Sequence, residues 1–275
     1  MSDTGQNNAS GTTSAEGSQA GATRRLVGKT AIVTGGSRGI GLGIAQRLVS
    51  EGARVVITAR KPETLREAAD QFEPGTVLAI AGKADDPNHR AEVLATVAEQ
   101  WGGLDILVNN AGINPVYGSL VDLDLDAARK IVEVNVVASL AWVQDVIKHP
   151  GLSFRERRGA IVGVSSVTGQ VPSAGIGWYG VSKAANAHLT RTLAVELGPE
   201  IRVNAVAPAV VKTDFARALY EGKEDEVTQD YPLARLGTPA DIAAAVAFLA
   251  SPDAAWITGQ ILTLDGGLLV AGGTA

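Results

Sequence analysis

The segment Thr34-Gly35-Gly36-Ser37-Arg38-Gly39-Ile40-Gly41 follows directly on the apolar run Thr30-Ala31-Ile32-Val33. The run reads as a buried strand, and Ile40, Ile44 and Leu48 recur at helical spacing after the turn. Strand, tight glycine turn and helix, in that order, make an anion cradle. Without side chains at Gly35, Gly39 and Gly41, backbone can approach a pyrophosphate closely. The helix N-terminus adds free N–H groups and the positive end of its dipole. Ser37, Arg38 and Ile40 complete the loop. Ordinary strand-to-helix turns also carry short glycine patterns. The position near the start of the domain favours a nucleotide.

From Lys29 onward, short apolar runs alternate with helical patterns. Strands are expected at 30–33, 54–58, 77–81, 106–108, 160–164, 202–206 and 260–263. Helices are expected near 40–51, 62–72, 88–101, 125–148, 178–198 and 239–250. Continuous Val/Ile/Leu strands are covered on both faces, and the alternation implies a parallel sheet with right-handed crossovers. The expected fold is therefore α/β, a doubly wound parallel seven-stranded sheet in one domain, 24–275. Ligands of such sheets bind beyond the carboxyl ends of the strands.

Composition narrows the function. Net charge is -5 and pI about 5.3, which points away from nucleic acid and anionic membranes. The chain has no cysteine, hence no disulfide, thiolate metal site or thiol nucleophile, in keeping with a cytoplasmic protein. His89, His149 and His188 show no metal-ligand spacing, and each is expected at a surface or helix end. No apolar run approaches the ~20 residues that span a bilayer. Residues 1–23 are rich in Ser, Thr, Gly, Asn, Gln and Ala and lack a signal-peptide pattern; they are expected to form a disordered tail.

The chemistry-bearing residues follow the strands. Asn109-Asn110-Ala111-Gly112 succeeds one, and Ser165-Ser166 another. Tyr179 and Lys183, four apart, share a helical face. Asn135 interrupts the apolar stretch Val134 to Val137 and, if buried, needs partners. A free phenol is a poor acid–base group at neutral pH, and a nearby ammonium favours its ionised form. Individually these are also a core-edge tyrosine, a surface lysine, a turn serine and a structural asparagine.

Taken together and in order, these motifs resemble the short-chain dehydrogenase/reductase family, in its compact subfamily with Thr-Gly-x-x-x-Gly-x-Gly spacing. They are similar to the 3-oxoacyl-[acyl-carrier-protein] reductases within it. The resemblance implies a Rossmann-like fold, a nicotinamide cofactor and the catalytic tetrad Asn135, Ser166, Tyr179 and Lys183. It implies that Tyr179 is the general acid/base and that Ser166 holds the carbonyl oxygen. Lys183 would bind the cofactor ribose and lower the Tyr179 pKa, and Asn135 would hold a water that relays protons to Lys183. It also implies cofactor contacts from Asn109, Ala111, Gly112, Pro208, Val211 and Thr213. Asp85 would stand in for the family's usual Asp after the third strand, and Ala209 replaces a usual Gly. The mixed, acidic stretch 214–232 resembles the family's lid.

About the end of the second strand, where NAD users place a carboxylate, this chain has Ala59, and Arg60 follows. With Arg38, it favours NADP(H) over NAD(H). Ile113, Val116, Ile176 and Trp178 suggest an apolar pocket wall, hence a small-molecule ketone/alcohol substrate with some hydrocarbon. Arg155, Arg157 and Arg158 offer half of a docking patch for an acidic carrier, or a solvated surface run. Family habit implies a homotetramer through 125–148, 178–198 and the C-terminal segment, and the face of Ala184, Ala185, Ala187 and Ala194 permits close helix approach there, or else forms an ordinary intramolecular packing face. The competing functions are a 3-oxoacyl-thioester reductase, an idle NADP(H)-binding regulator, and a dehydratase or lyase.

Overall fold

A computed structural model describes residues 24–274; the expected tail, 1–23, lies outside them. Seven parallel strands run β1 (Thr30–Thr34), β2 (Arg54–Ala59), β3 (Val77–Ala81), β4 (Ile106–Asn109), β5 (Ala160–Val164), β6 (Arg202–Pro208) and β7 (Ile261–Leu264). Their spatial order is β3-β2-β1-β4-β5-β6-β7. Order reverses between β1 and β4, so the crevice beyond their carboxyl ends is the switch point.

The connections are α1 (Gly39–Ser50), α2 (Pro62–Ala69), α3 (Pro87–Trp101), α4 (Leu125–Val132), α5 (Ala138–Lys148) and α6 (Gly177–Leu197). The short helices α7 (Arg217–Tyr220) and α8 (Glu224–Thr228) precede α9 (Pro239–Ala250). Strand alternation feeds two cores. Ala31, Val33, Val55 and Ile57 pack under Ile44 and Leu48 of α1 and Ile242 and Val246 of α9. Ile32, Val56, Leu107 and Ile161 pack under Val93 and Val97 of α3, Trp142 of α5 and Leu193 of α6. The inner strands β1, β2, β4, β5 and β6 are buried on both faces over most of their length, as their unbroken apolar runs require, whereas the edge strands β3 and β7 stay partly exposed because each has a neighbour on one side only.

One feature departs from expectation and two refine it. The helix foreseen over 125–148 is interrupted at Glu133–Val137 by a wide π-turn. Asn135 causes it: its buried side chain is drawn into bonds with Ile113 rather than left on a helix face. His89 takes the helix-end alternative, in the first turn of α3, and is buried there, edge-on to Trp142 at 6.2 Å. Burial pushes its imidazole below the usual pKa. Third, the arginine run is engaged. Arg157 reaches buried Asp105 at 2.7 Å, and Arg155 pairs with Glu200. Among the described residues no helix is long and apolar enough to cross a membrane.

Candidate active site

The carboxyl ends of the strands open into a cleft of ≈ 910 Å³, within the usual range for ligand pockets. At one end lies the glycine turn. Gly35 and Gly39 have φ of +69° and +54°, which favour glycine. A Cβ on Gly41 would meet the Gly35 carbonyl oxygen at 2.2 Å. The turn is braced from β4: Asn110 Nδ2 donates to the Thr34 and Gly35 carbonyls at 2.8 and 3.1 Å. Thr34 Oγ1 accepts from the backbone N–H groups of Asn110 and Ala111, each at 3.0 Å. The backbone thus leaves an open trough where bulkier residues could not fit, as a bound pyrophosphate requires.

Ser37, Arg38, Ile40 and Arg60 line the cleft beside this trough, with Ala111 and Gly112 opposite and Pro208, Val211 and Thr213 along the lip after β6. Asn109 is not brought to the cleft. Its amide donates to the Ser139 carbonyl at 3.1 Å behind the sheet, because neighbours at a strand end point to opposite faces; Asn110 occupies the cleft instead. Asp85 reaches the cleft, but its carboxylate is paired with Lys130, which holds it below the usual carboxylate range. Ala209 fits without a positive φ, its N–H donating to the Leu264 carbonyl. Arg38 pairs loosely with Asp214 at 3.7 Å, and both are half-exposed or more.

The reacting end is assembled by β5, the turn after it and α6. α6 lies so close to the turn that a Cβ on Gly180 would stand 2.6 Å from the Thr168 carbonyl oxygen. That approach brings Tyr179 and Lys183 into the same cleft as Ser166. Ser165 turns the other way, donating to the Lys183 carbonyl. Ser166 Oγ accepts from Thr168 N–H at 3.2 Å and from Thr168 Oγ1 at 2.9 Å. Its lone pairs used, it keeps its own proton for the cleft.

Lys183 Nζ is buried, donates to the Val164 carbonyl at 2.8 Å and sits 5.4 Å from the Tyr179 ring centre. Burial pushes this ammonium down to about 8. The tyrosine departs from expectation. Its position deep in the cleft raises the phenol above its ordinary pKa, and Tyr117 adds to the rise. Desolvation of the phenolate outweighs an ammonium that touches the ring rather than the hydroxyl.

Asn135 does not line the cleft. Completely buried behind it, its Oδ1 accepts from Ile113 N–H at 2.8 Å, while Nδ2 donates to the Ile113 carbonyl and Ser182 Oγ, each at 3.0 Å. Its carbonyl accepts from Asn186 Nδ2 and Ser139 Oγ. Ser182 and Asn186 were missed in the sequence, although they recur at helical spacing from Tyr179. Trp178 and Val116 do not line the cleft. The Trp178 indole donates to the Ala128 carbonyl of α4, and Tyr117 and Phe215 supply the wall instead.

The chain matches the family described as Enoyl-(Acyl carrier protein) reductase over residues 35–269. This chain is a short-chain dehydrogenase/reductase. It is 41% identical over 260 residues to the rabbit (Oryctolagus cuniculus) dehydrogenase/reductase SDR family member 4, covering 90% of this chain and 96% of that protein. Tropinone reductase-like 3 of Erythroxylum coca is 38% identical over 248 residues, covering 89% and 94%. Among solved structures, a short-chain glucose/ribitol dehydrogenase from Brucella melitensis superposes with a TM-score of 0.83 at 29% identity, covering 89% and 98%. Short-chain dehydrogenase/reductases are oxidoreductases that use NAD(P)(H). The glycine trough, where a side chain would collide with backbone, fits the pyrophosphate of such a dinucleotide.

Proposed function

We propose that this single-domain enzyme reduces a ketone to a secondary alcohol with NADP(H), Tyr179 being the general acid. The bound nicotinamide supplies the hydride. The observation that carries the reading is that Ser166, Tyr179 and Lys183 line the same cleft as the glycine trough, with the Lys183 ammonium 5.4 Å from the Tyr179 ring centre. Ser166 donates its free proton to the substrate oxygen, fixing the carbonyl and stabilising the negative charge that develops there. Tyr179, its pKa raised, is fully protonated at neutral pH and gives that proton to the new alkoxide. Lys183 holds positive charge beside the phenol, binds the cofactor ribose and supplies the proton that the Tyr179 phenolate regains, while Asn135 positions a water that returns that proton to Lys183. At the other end Arg38 and Arg60, with Ala59 where NAD users carry an acid, support the 2′-phosphate of NADP(H).

Ile113, Tyr117, Ile176, Phe215 and Leu219 wall the substrate end and support a carbonyl compound with an apolar substituent. Engagement of Arg155 and Arg157 with Glu200 and Asp105 weighs against docking of an acyl carrier. Exposed Leu125, Val137, Val181 and Trp256 support a homotetramer through the faces of α4 to α6 and the C-terminal segment. The lack of cysteine supports a cytoplasmic setting.

Tyr179→Phe is expected to cut turnover by at least ~100-fold while NADPH affinity stays within about threefold, measured by NADPH oxidation and fluorescence titration. Turnover near the parent's refutes the mechanism, and NADPH oxidation distinguishes a reductase from a lyase or an idle binder. Arg60→Ala is expected to weaken NADPH binding about tenfold and leave NADH binding unchanged. A parent enzyme that prefers NADH refutes the cofactor assignment.

A further inference from the structure

We propose that Gly112 belongs to the reaction machinery through the side chain it lacks, keeping a one-water gap open between Asn135 and Lys183. The inference rests on the proton-transfer reading above and adds a residue to it. Gly112 is not among the glycines with positive φ. A Cβ there would stand 3.4 Å from Asn135 Oδ1 and 3.5 Å from Lys183 Nζ. These are ordinary contacts, so neither backbone conformation nor steric collision calls for glycine at this place. A methyl would instead lie against two polar atoms at once, where a water could bond to both.

Those atoms have unused bonding capacity of opposite sense. Both Nδ2 protons of Asn135 are committed, to the Ile113 carbonyl and to Ser182 Oγ. Oδ1 takes one proton, from Ile113 N–H, and can accept a second. The amide cannot turn over, because Ile113 presents N–H to one side of it and C=O to the other. Ser182 adds to the clamp: it accepts from Asn135 and donates to the Tyr179 carbonyl at 2.7 Å. Across the gap, the Lys183 ammonium has given one of its three protons to the Val164 carbonyl.

The gap therefore has an acceptor on one side and a donor on the other. A water between them accepts from Lys183 and donates to Asn135, which partly solvates an otherwise buried ammonium. When Lys183 has given up a proton, the water's second hydrogen passes to the Nζ lone pair, and the water takes a proton from solvent in exchange. A methyl group displaces this water and reproduces neither bond.

The test compares Gly112→Ala and Gly112→Ser with the parent. It measures melting temperature, NADPH affinity by fluorescence titration, and kcat for ketone reduction across pH in H₂O and D₂O. Gly112→Ala is expected to fold, with a melting temperature lowered by no more than about 8 °C for the lost water contacts, and to bind NADPH within roughly threefold. Its kcat is expected to fall about tenfold or more, with a larger solvent isotope effect. Gly112→Ser, whose Oγ can take the place of the water oxygen, is expected to keep kcat several-fold above that of the alanine variant. A wild-type kcat in Gly112→Ala overturns the proposal. So do a chain that fails to fold, a loss confined to NADPH affinity, and a serine variant no better than alanine. Parental turnover in Tyr179→Phe removes the underlying reading. Parental turnover in Gly112→Ala alongside an inactive Tyr179→Phe removes this inference alone.

Discussion

Replacing Lys183 with methionine is expected to stabilise the protein while abolishing its activity. The two side chains are similar in length, and Lys183 is only 3% exposed. Burial lowers its pKa from the ordinary 10.5 to about 8. At about 1.4 kcal/mol per unit, keeping the ammonium charged in the fold at pH 7 costs ~3 kcal/mol. Methionine removes that cost. It also takes a donor from the Val164 carbonyl, a loss of ~1 kcal/mol where water in the cleft can substitute. The net gain at pH 7 is ~2 kcal/mol.

The dependence on pH has a definite sign. Below about 8 the lysine is charged both in the fold and in the unfolded chain, so the penalty is present in full. Between about 8 and 10.5 the unfolded chain binds more proton than the folded one, and the parent gains stability as pH rises. Above 10.5 the penalty is gone, and methionine is left with only the lost hydrogen bond. Urea denaturation at pH 7, 9 and 10.5, with parent and variant side by side, reads this directly. A variant no more stable than the parent at pH 7, or an advantage that does not shrink by pH 10.5, refutes the reasoning.

Two further outcomes follow from the site. Ketone reduction is expected to slow as pH rises through about 8, where Lys183 loses the charge that the mechanism uses; a rate flat from pH 7 to 9.5 contradicts that role. Gly41→Ala is expected to abolish dinucleotide binding and cost at least ~2 kcal/mol, because its methyl would lie 2.2 Å from the Gly35 carbonyl. Calorimetric titration with NADPH and a melting curve check both effects.

The sheet was legible because its signal is local. Unbroken apolar runs such as Val55-Val56-Ile57 have few uses other than a strand buried on both faces, and all seven strands appear within two residues of their expected bounds at either end. The wide turn at Glu133–Val137 was not legible, since it depends on Ile113, 22 positions away, offering both halves of its peptide to one asparagine. Short helices α7 and α8 were also unreadable. Their apolar residues Tyr220 and Val227 pack on Tyr231, Leu236 and Leu268, a small core with no periodic trace in the segment itself.

The same division runs through the candidate site. Residue types and spacings were enough to name the glycine trough and to put Tyr179 and Lys183 on one face of a helix, because both follow from turn chemistry and helical pitch. The direction in which the phenol's acidity moves was not available from spacing, since it is set by how much protein surrounds the ring against how near the ammonium comes to its oxygen. Nor could the outward turns of Asn109 and Trp178 be read from order along the chain. Local covalent geometry and periodicity are written residue by residue. Desolvation, side-chain aim and the gap beside Gly112 arise only when distant segments close on one another.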